Sequence, residues 1–443
     1  MSAIVLLPPR AARADDALAE GGEPPPAEVE TTEPSRGPPS GDPPALEARL
    51  AELEARLARF EVAAAQEERR AADDAQGAGD GGEPPARFTL GGWVEAYWGW
   101  NFNEPRNRVT DLRGFDNQHD SFNLSNLALD ARWDVEGVNG HVTLQWGSTP
   151  ATYYLGETAG PTLGTGIGAQ SASMWQFVQQ ANVGYRVPIG NGLNVLAGLF
   201  LSPVGVEGMN VKDNWLYSRS NLFFGFPFYH TGLRVSYPII DELTVVAWVI
   251  NGWNTVLDNN DEKTVCLQAS WSTDLVSGSL LYMTGVERPD GAPEGRAWRH
   301  TIDLNSTFTL TPWLALQGQV TTMIEPNAFG TSGAVAGALA ARVTPISWLA
   351  FSARGDFFWE SVASSAAGSA SAIFWPVEWV SSFTLGADLR PIDHVSFRVE
   401  YRHDQASGPA YFAGTVVGNG VEFPFVRNAT SQDTLTVGVT GWF

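Results

Sequence analysis

From Arg87 onward the chain alternates. In residues 393–402, Val395, Phe397, Val399 and Tyr401 share one face, while His394, Ser396, Arg398, Glu400 and Arg402 share the other. In residues 300–310, Ile302, Leu304, Phe308 and Leu310 oppose Thr301, Asp303, Asn305 and Thr307. The C-terminus sets Leu435, Val437, Val439 and Phe443 against Thr434, Thr436, Thr440 and Trp442. Successive side chains of a strand point to opposite faces, so each stretch predicts a strand with one apolar and one polar face. Followed along the chain, the pattern predicts about sixteen strands. They start near Phe88, Phe122, Val138, Met174, Leu193, Tyr229, Glu242, Glu262, Val276, Trp298, Trp313, Ser332, Ser347, Val377, His394 and Ser431.

The connections separate into two kinds. Those after even strands are tight: 136–137, 188–191, 238–241, 272–274, 311–312, 344–345 and 391–393. Those after odd strands are mostly longer: 102–121, 148–173, 202–228, 254–261, 286–297, 324–331, 360–376 and 405–430. Such alternation puts the turns at one rim and the large loops at the other, which a soluble sandwich would not do. The fold expected is an all-β, antiparallel up-and-down transmembrane barrel over 87–443, with short periplasmic turns and long external loops. No uncharged apolar run reaches the ~18 residues of a spanning helix, so strands must do the crossing.

Residues 1–86 follow other rules. Ala3–Leu7 is a short apolar run, and Ala12-Arg13-Ala14 fits a small-residue cleavage site. Two readings of 1–14 stand: the end of a signal peptide whose true start lies upstream, or an ordinary N-terminal tail. Residues 15–44 are rich in Pro, Gly and Glu and predict an extended linker. Over 45–70, Leu46, Leu50, Leu53, Leu57 and Phe60 repeat at spacings of four and three, the seam of a short coiled coil or the stripe of a solitary amphipathic helix. Residues 71–86 form a second, Gly/Pro-rich linker.

Composition sharpens this picture. The 443 residues carry 27 Lys+Arg and 49 Asp+Glu, a net charge of −22, which excludes the basic face of a nucleic-acid binder. The first 86 residues hold 8 basic and 18 acidic residues, and the remaining 357 hold 19 and 31, so the tail is the more densely acidic part. Charged residues make up only 17%, below the ~25% usual in soluble domains. Lys212 and Lys263 are the only lysines. Of the seventeen Trp, eleven recur near expected strand ends, among them Trp93, Trp98, Trp133, Trp253, Trp313 and Trp442, as they would at two lipid–water interfaces. The closing Phe443 has the form of the signal read by the barrel-assembly machinery, although Gly441 stands where a second aromatic is common. Cys266, the single cysteine, excludes a disulfide framework and reads as strand packing.

Several polar–aromatic stretches are distinctive. They include 107–133 (NRVTDLRGFDNQHDSFNLSNLALDARW), 175–180 (WQFVQQ), 184–188 (GYRVP), 198–203 (GLFLSP), 218–225 (SRSNLFFG), 227–232 (PFYHTG) and 251–254 (NGWN). On these motifs, dense over roughly 88–270, the chain resembles the putative beta-barrel porin-2 family of bacterial outer-membrane proteins. The resemblance implies a porin-like barrel in the outer-membrane bilayer, with homotrimers as a possible assembly. It leaves the tail outside and says little about the solute.

Segment 202–228 is the third long connection, the one that folds into the lumen in porins. It carries Glu207, Lys212, Asp213 and Arg219, whose opposed charges would set a transverse field across a constriction; the alternative is a surface loop with solvated charges. Strand phase puts Arg132, Arg234, Arg342, Arg354, Arg398 and Arg402, with Asp130, Asp134, Asp303, Asp356, Asp388 and Glu400, on the polar face. A charge facing lipid at midplane costs about 2–4 kcal/mol, so these residues belong in the lumen, as wall salt bridges or as solute-selecting groups. Enzyme signals are weak: the six His are scattered, and neither H-E-x-x-H nor G-x-S-x-G occurs. Asp258–Glu262 lacks the spacing of a calcium loop and reads as a hairpin tip. No cofactor or metal is implied.

The sequence therefore points to a porin, a passive channel for small hydrophilic solutes. Its rivals are a lipase-like barrel enzyme, or a tether joining the outer membrane to periplasmic partners. Removing residues 15–86 should leave single-channel conductance intact and reduce oligomer size; an unchanged size would refute the coiled-coil assignment.

Overall fold

The computed structural model describes residues 86–155, 157, 172–363 and 373–443. The expected signal-peptide end, both linkers (residue 86 apart) and the heptad segment lie outside these. Among the described residues the chain forms sixteen strands: β1 Arg87–Asn101, β2 Ser121–Val135, β3 Val138–Trp146, β4 Val178–Val187, β5 Leu193–Leu201, β6 Tyr229–Ile240, β7 Leu243–Ile250, β8 Thr264–Ser272, β9 Val276–Val286, β10 Trp298–Thr311, β11 Leu314–Asn327, β12 Gly330–Ile346, β13 Leu349–Ser361, β14 Trp379–Ile392, β15 Val395–Ala406 and β16 Ser431–Trp442. Each pairs antiparallel with its sequence neighbours. β16 closes on β1 through nine register positions, from Trp93↔Trp442 to Asn101↔Thr434.

The alternation in sequence becomes an inverted burial pattern. On β15 the apolar side chains face out, with Phe397 48%, Val399 44% and Tyr401 41% exposed. Their polar neighbours are enclosed: Arg398 is 2%, Glu400 1% and Arg402 0% exposed. A water-soluble sheet does the reverse. An apolar girdle around a polar interior is the solution for a barrel whose outer solvent is lipid.

The tight turns follow from local chemistry. At 136–137, Glu136 (φ 52°) and Gly137 (φ 83°) both adopt the left-handed backbone of a two-residue hairpin turn. One connection expected to be long, 324–331, shrinks to residues 328–329, because β11 and β12 stay paired to Asn327↔Gly330. The Asn327 side chain accepts the Phe329 amide at 2.8 Å, which builds the tip locally. β4 begins at Val178 rather than near Met174, since Ala172–Trp175 form a helical turn. Three tryptophans expected at lipid interfaces point elsewhere: Trp93 is buried on the inner face of β1, its register partner Trp442 on β16 shares that face, and Trp253 packs among the rim loops against Phe374.

At that rim Glu287, just beyond β9, accepts from Thr264 Oγ1 at 2.6 Å and from the Trp253 amide at 2.7 Å. Burial pushes its carboxyl up to about 7, with Arg299 pulling the other way.

Two outcomes are expected. Leu339 stands mid-strand on the outer face, 74% exposed. Leu339→Arg should lower folding stability in vesicles by about 2–4 kcal/mol if it sits at midplane, while Ser270→Arg on the lumen side should cost far less. A folded-state pKa above the free-acid value contributes stability below pH ~4.5 that is lost as pH rises to about 7. Denaturant midpoints should therefore fall more steeply across that window in the wild type than in Glu287→Gln.

Candidate functional site

Segment 202–228 joins β5 to β6. Pro203 removes an amide from the ladder, and Gly205 adopts φ 89°, so the strand ends here. Beyond this point the segment's amides bond to side chains of distant strands. Gly205 donates to Asp303 on β10 at 3.2 Å and Val211 to Glu95 on β1 at 2.6 Å. Tyr217 donates to Glu400 on β15 at 2.8 Å, and Asn221 to Asp356 on β13 at 3.2 Å. Strands so far apart share only the interior, so the segment crosses the lumen.

The wall arginines satisfy its carbonyls. Arg354 donates to the Ser218 carbonyl at 2.8 Å, Arg398 to Val211 at 2.6 Å, Arg402 to Arg219 at 2.5 Å and Arg342 to Trp215 at 3.4 Å. A looping backbone in a confined space needs partners for both its N–H and C=O groups, and a wall bearing both carboxylates and guanidiniums supplies them. Charge-assisted bonds of this kind are worth roughly 1.5–3 kcal/mol each. Packing completes the contact. A one-turn helix, Asn221–Gly225, is capped by the Ser220 hydroxyl, which accepts from the Phe223 amide. Beside it Leu222 and Phe226 pack against Met323, Ala336 and Phe358. Leu216 and Tyr217 lie so close to Gly386 and Gly438 that a Cβ there would come within 2.5 Å and 2.3 Å of them.

The four candidate constriction residues therefore differ. Glu207 pairs with Arg354 at 2.5 Å. Arg219 is enclosed, donates to the Tyr217 carbonyl at 2.9 Å and to that of Met209, and lies 5.1 Å from the Phe115 ring. Lys212 and Asp213 pair with each other at 2.7 Å and keep contact with water, Lys212 also lying 5.3 Å over Trp93. The eight candidate wall residues divide too. Arg342, Arg354, Asp356, Arg398, Glu400 and Arg402 hold the segment. Arg132 and Arg234 face a cavity of about 460 Å³ on the opposite side, also lined by His141, Gln180, Asn182 and Trp248.

Other members come from outside the predicted set. Arg113 and Asp116, in the loop after β1, form a buried pair, with Asp404 3.5 Å from Arg113. Burial opposes charge on Asp116, yet Arg113 holds its carboxyl below the ordinary value. Glu95 and Asp404 were findable from strand phase; Arg113 and Asp116 lie in an aperiodic loop and were not. At the 258–262 tip, Asp258 accepts from the Asn260 amide at 3.1 Å and pairs with Lys263, hairpin bonding rather than an ion cage. Among the described residues no group of three or more His, Cys, Asp or Glu could hold a metal ion.

Solved structures share the architecture. The outer membrane channel DcaP of Acinetobacter baumannii aligns with a TM-score of 0.50 at 11% identity, covering 82% of this chain and 99% of that one. An anion-selective porin from Comamonas acidovorans aligns with a TM-score of 0.49 at 13% identity, covering 81% of this chain and 100% of that one. No curated protein matches the chain. The family model described as putative beta-barrel porin-2, OmpL-like, matches residues 87–443. With that match spanning the entire barrel, the chain belongs to the putative beta-barrel porin-2 family of outer-membrane channel proteins.

Proposed function

We propose that this barrel is a passive diffusion channel for small hydrophilic solutes, constricted by segment 202–228. The observation that carries this reading is the course of that segment: its backbone is bonded to β1, β10, β13 and β15, which leaves the β2–β8 side of the lumen as the passage. Lys212 and Asp213, the charges of the segment that keep contact with water, would be the ones that solutes meet. Opposed charges in a narrow, poorly screened space sort solutes by charge and dipole.

In this reading the short turns are periplasmic. The first barrel residues leave from that rim, since Arg87 pairs with Asp134 beside the 136–137 turn, and the tail of residues 1–86 is then periplasmic as well. The strand ending in Phe443 would be the segment that the barrel-assembly machinery engages. A homotrimer is the assembly to test first.

Reconstitution into planar bilayers tests the proposal. Pure, folded protein should give discrete conductance steps, and their absence would refute it. Gly438→Leu puts a side chain where Tyr217 packs. It should detach the segment from the wall and raise single-channel conductance measurably, with more current noise. An unchanged conductance would show that 202–228 does not limit the passage.

A further inference from the structure

The cavity lined by Arg132 and Arg234 contains a charge that no carboxylate among the described residues neutralises. Apart from Arg87 at the exposed rim end of β1, the inward-facing arginines on the other strands have a carboxylate within 4.0 Å; nearest the cavity, Arg132 pairs with Asp130 at 3.0 Å and Arg186 with Asp134 at 2.9 Å. Arg234 on β6 has none among the described residues. Its Nε is enclosed without a hydrogen-bond partner, and its guanidinium lies 5.2 Å over the Trp248 ring of the adjacent strand. Stacking orients the cation but leaves its charge uncompensated.

Its surroundings are two-sided. Leu196, Phe200 and Trp248 are buried members of an apolar cluster on the inner faces of β5–β9, and the Phe200 and Trp248 rings meet edge-on at 5.3 Å. An apolar inner wall is unusual in a lumen meant only for water and ions, where polar side chains do the lining. The same cavity is lined by Gln268 and Ser270 of β8, whose side chains make no hydrogen bond among the described residues. At about 460 Å³ the space falls within the ~300–1,000 Å³ range of small-molecule sites.

We propose that this cavity is a subsite for amphipathic organic anions. The carboxylate sits on Arg234 with Gln268 and Ser270 donating to it, and an aromatic or aliphatic body lies along Leu196, Phe200 and Trp248. A fixed cation in a partly desolvated wall lowers the energy of an anion beside it, and the apolar strip favours anions with a hydrophobic body over hydrated ones of equal charge. The subsite deepens the channel reading above by naming the class of solute that lingers on its way through.

The test uses benzoate, with gluconate as the hydrophilic anion of equal charge. Benzoate should partially block wild-type single-channel current in a concentration-dependent way, and gluconate should need at least tenfold more for the same block. Arg234→Gln should weaken the benzoate block at least tenfold. Ser270→Asp, which adds a fixed carboxylate to the lining of the same cavity, should do the same without removing the arginine. Trp248→Leu should narrow the difference between the two anions. Equal block of wild type and both charge variants, or equal block by both anions, overturns the subsite. Calorimetric titration of benzoate into detergent-folded protein separates this from the channel reading. Binding that disappears in Arg234→Gln supports the subsite even if no conductance is seen, and conductance without any benzoate binding leaves the channel standing and refutes the subsite.

Discussion

A strand inside a bilayer has no water to bond, so an unpaired sheet edge there would leave a row of N–H and C=O groups with nothing to satisfy them. The β1–β16 seam removes that edge. Its nine paired positions turn a sheet of sixteen strands into a closed surface, and the remaining features follow from closure. Once the sheet has an inside and an outside, a period-two sequence can give one set of side chains to lipid and the other to a private compartment. Phe397, Val399 and Tyr401 then gain by being exposed, and Arg398, Glu400 and Arg402 can be buried as ions.

Those buried ions are held by complementarity. A guanidinium or carboxylate enclosed in a low-dielectric wall is costly unless its hydrogen-bonding sites are filled, and stripping one partner away typically costs about 3–5 kcal/mol. Segment 202–228 fills many of them. Its carbonyls meet Arg354, Arg398 and Arg402, and its amides meet Glu95, Asp356 and Glu400. Wall and segment thus satisfy each other. The side of the lumen that the segment does not cover needs no such supply of paired charge, and there Arg132 and Arg186 are balanced by single local carboxylates while the inner faces of β5–β9 turn apolar.

Much of the architecture could be read from the chain, because the feature that creates it, alternation under two different solvents, is written in every strand. All sixteen strands appear near their expected starts. The departures have local causes. Asn327 makes a turn with its own side chain, which strand periodicity does not register. Leu243–Ile250 is apolar on both faces, so its sequence gives no phase. That ambiguity is physically real, since Val245 and Val249 meet lipid while Val246, Trp248 and Ile250 pack inside the lumen. The site was less legible. Phase puts Arg234 and Arg398 on the same polar face and says nothing more. Their different circumstances, one stacked on Trp248 without a carboxylate and the other gripping the Val211 carbonyl, depend on where a loop from elsewhere in the chain comes to rest.

The fastening of segment 202–228 also bears on how such a protein can diversify. A surface loop can be exchanged between relatives with little regard for its host. This one cannot, because its bonds end on residues contributed by strands from β1 to β15, and glycines at 386 and 438 are shaped to Leu216 and Tyr217. A borrowed segment would leave several buried arginines and carboxylates unsatisfied at once. Loop and wall must therefore change together, which ties the shape of the lumen to residues on strands from β1 to β16.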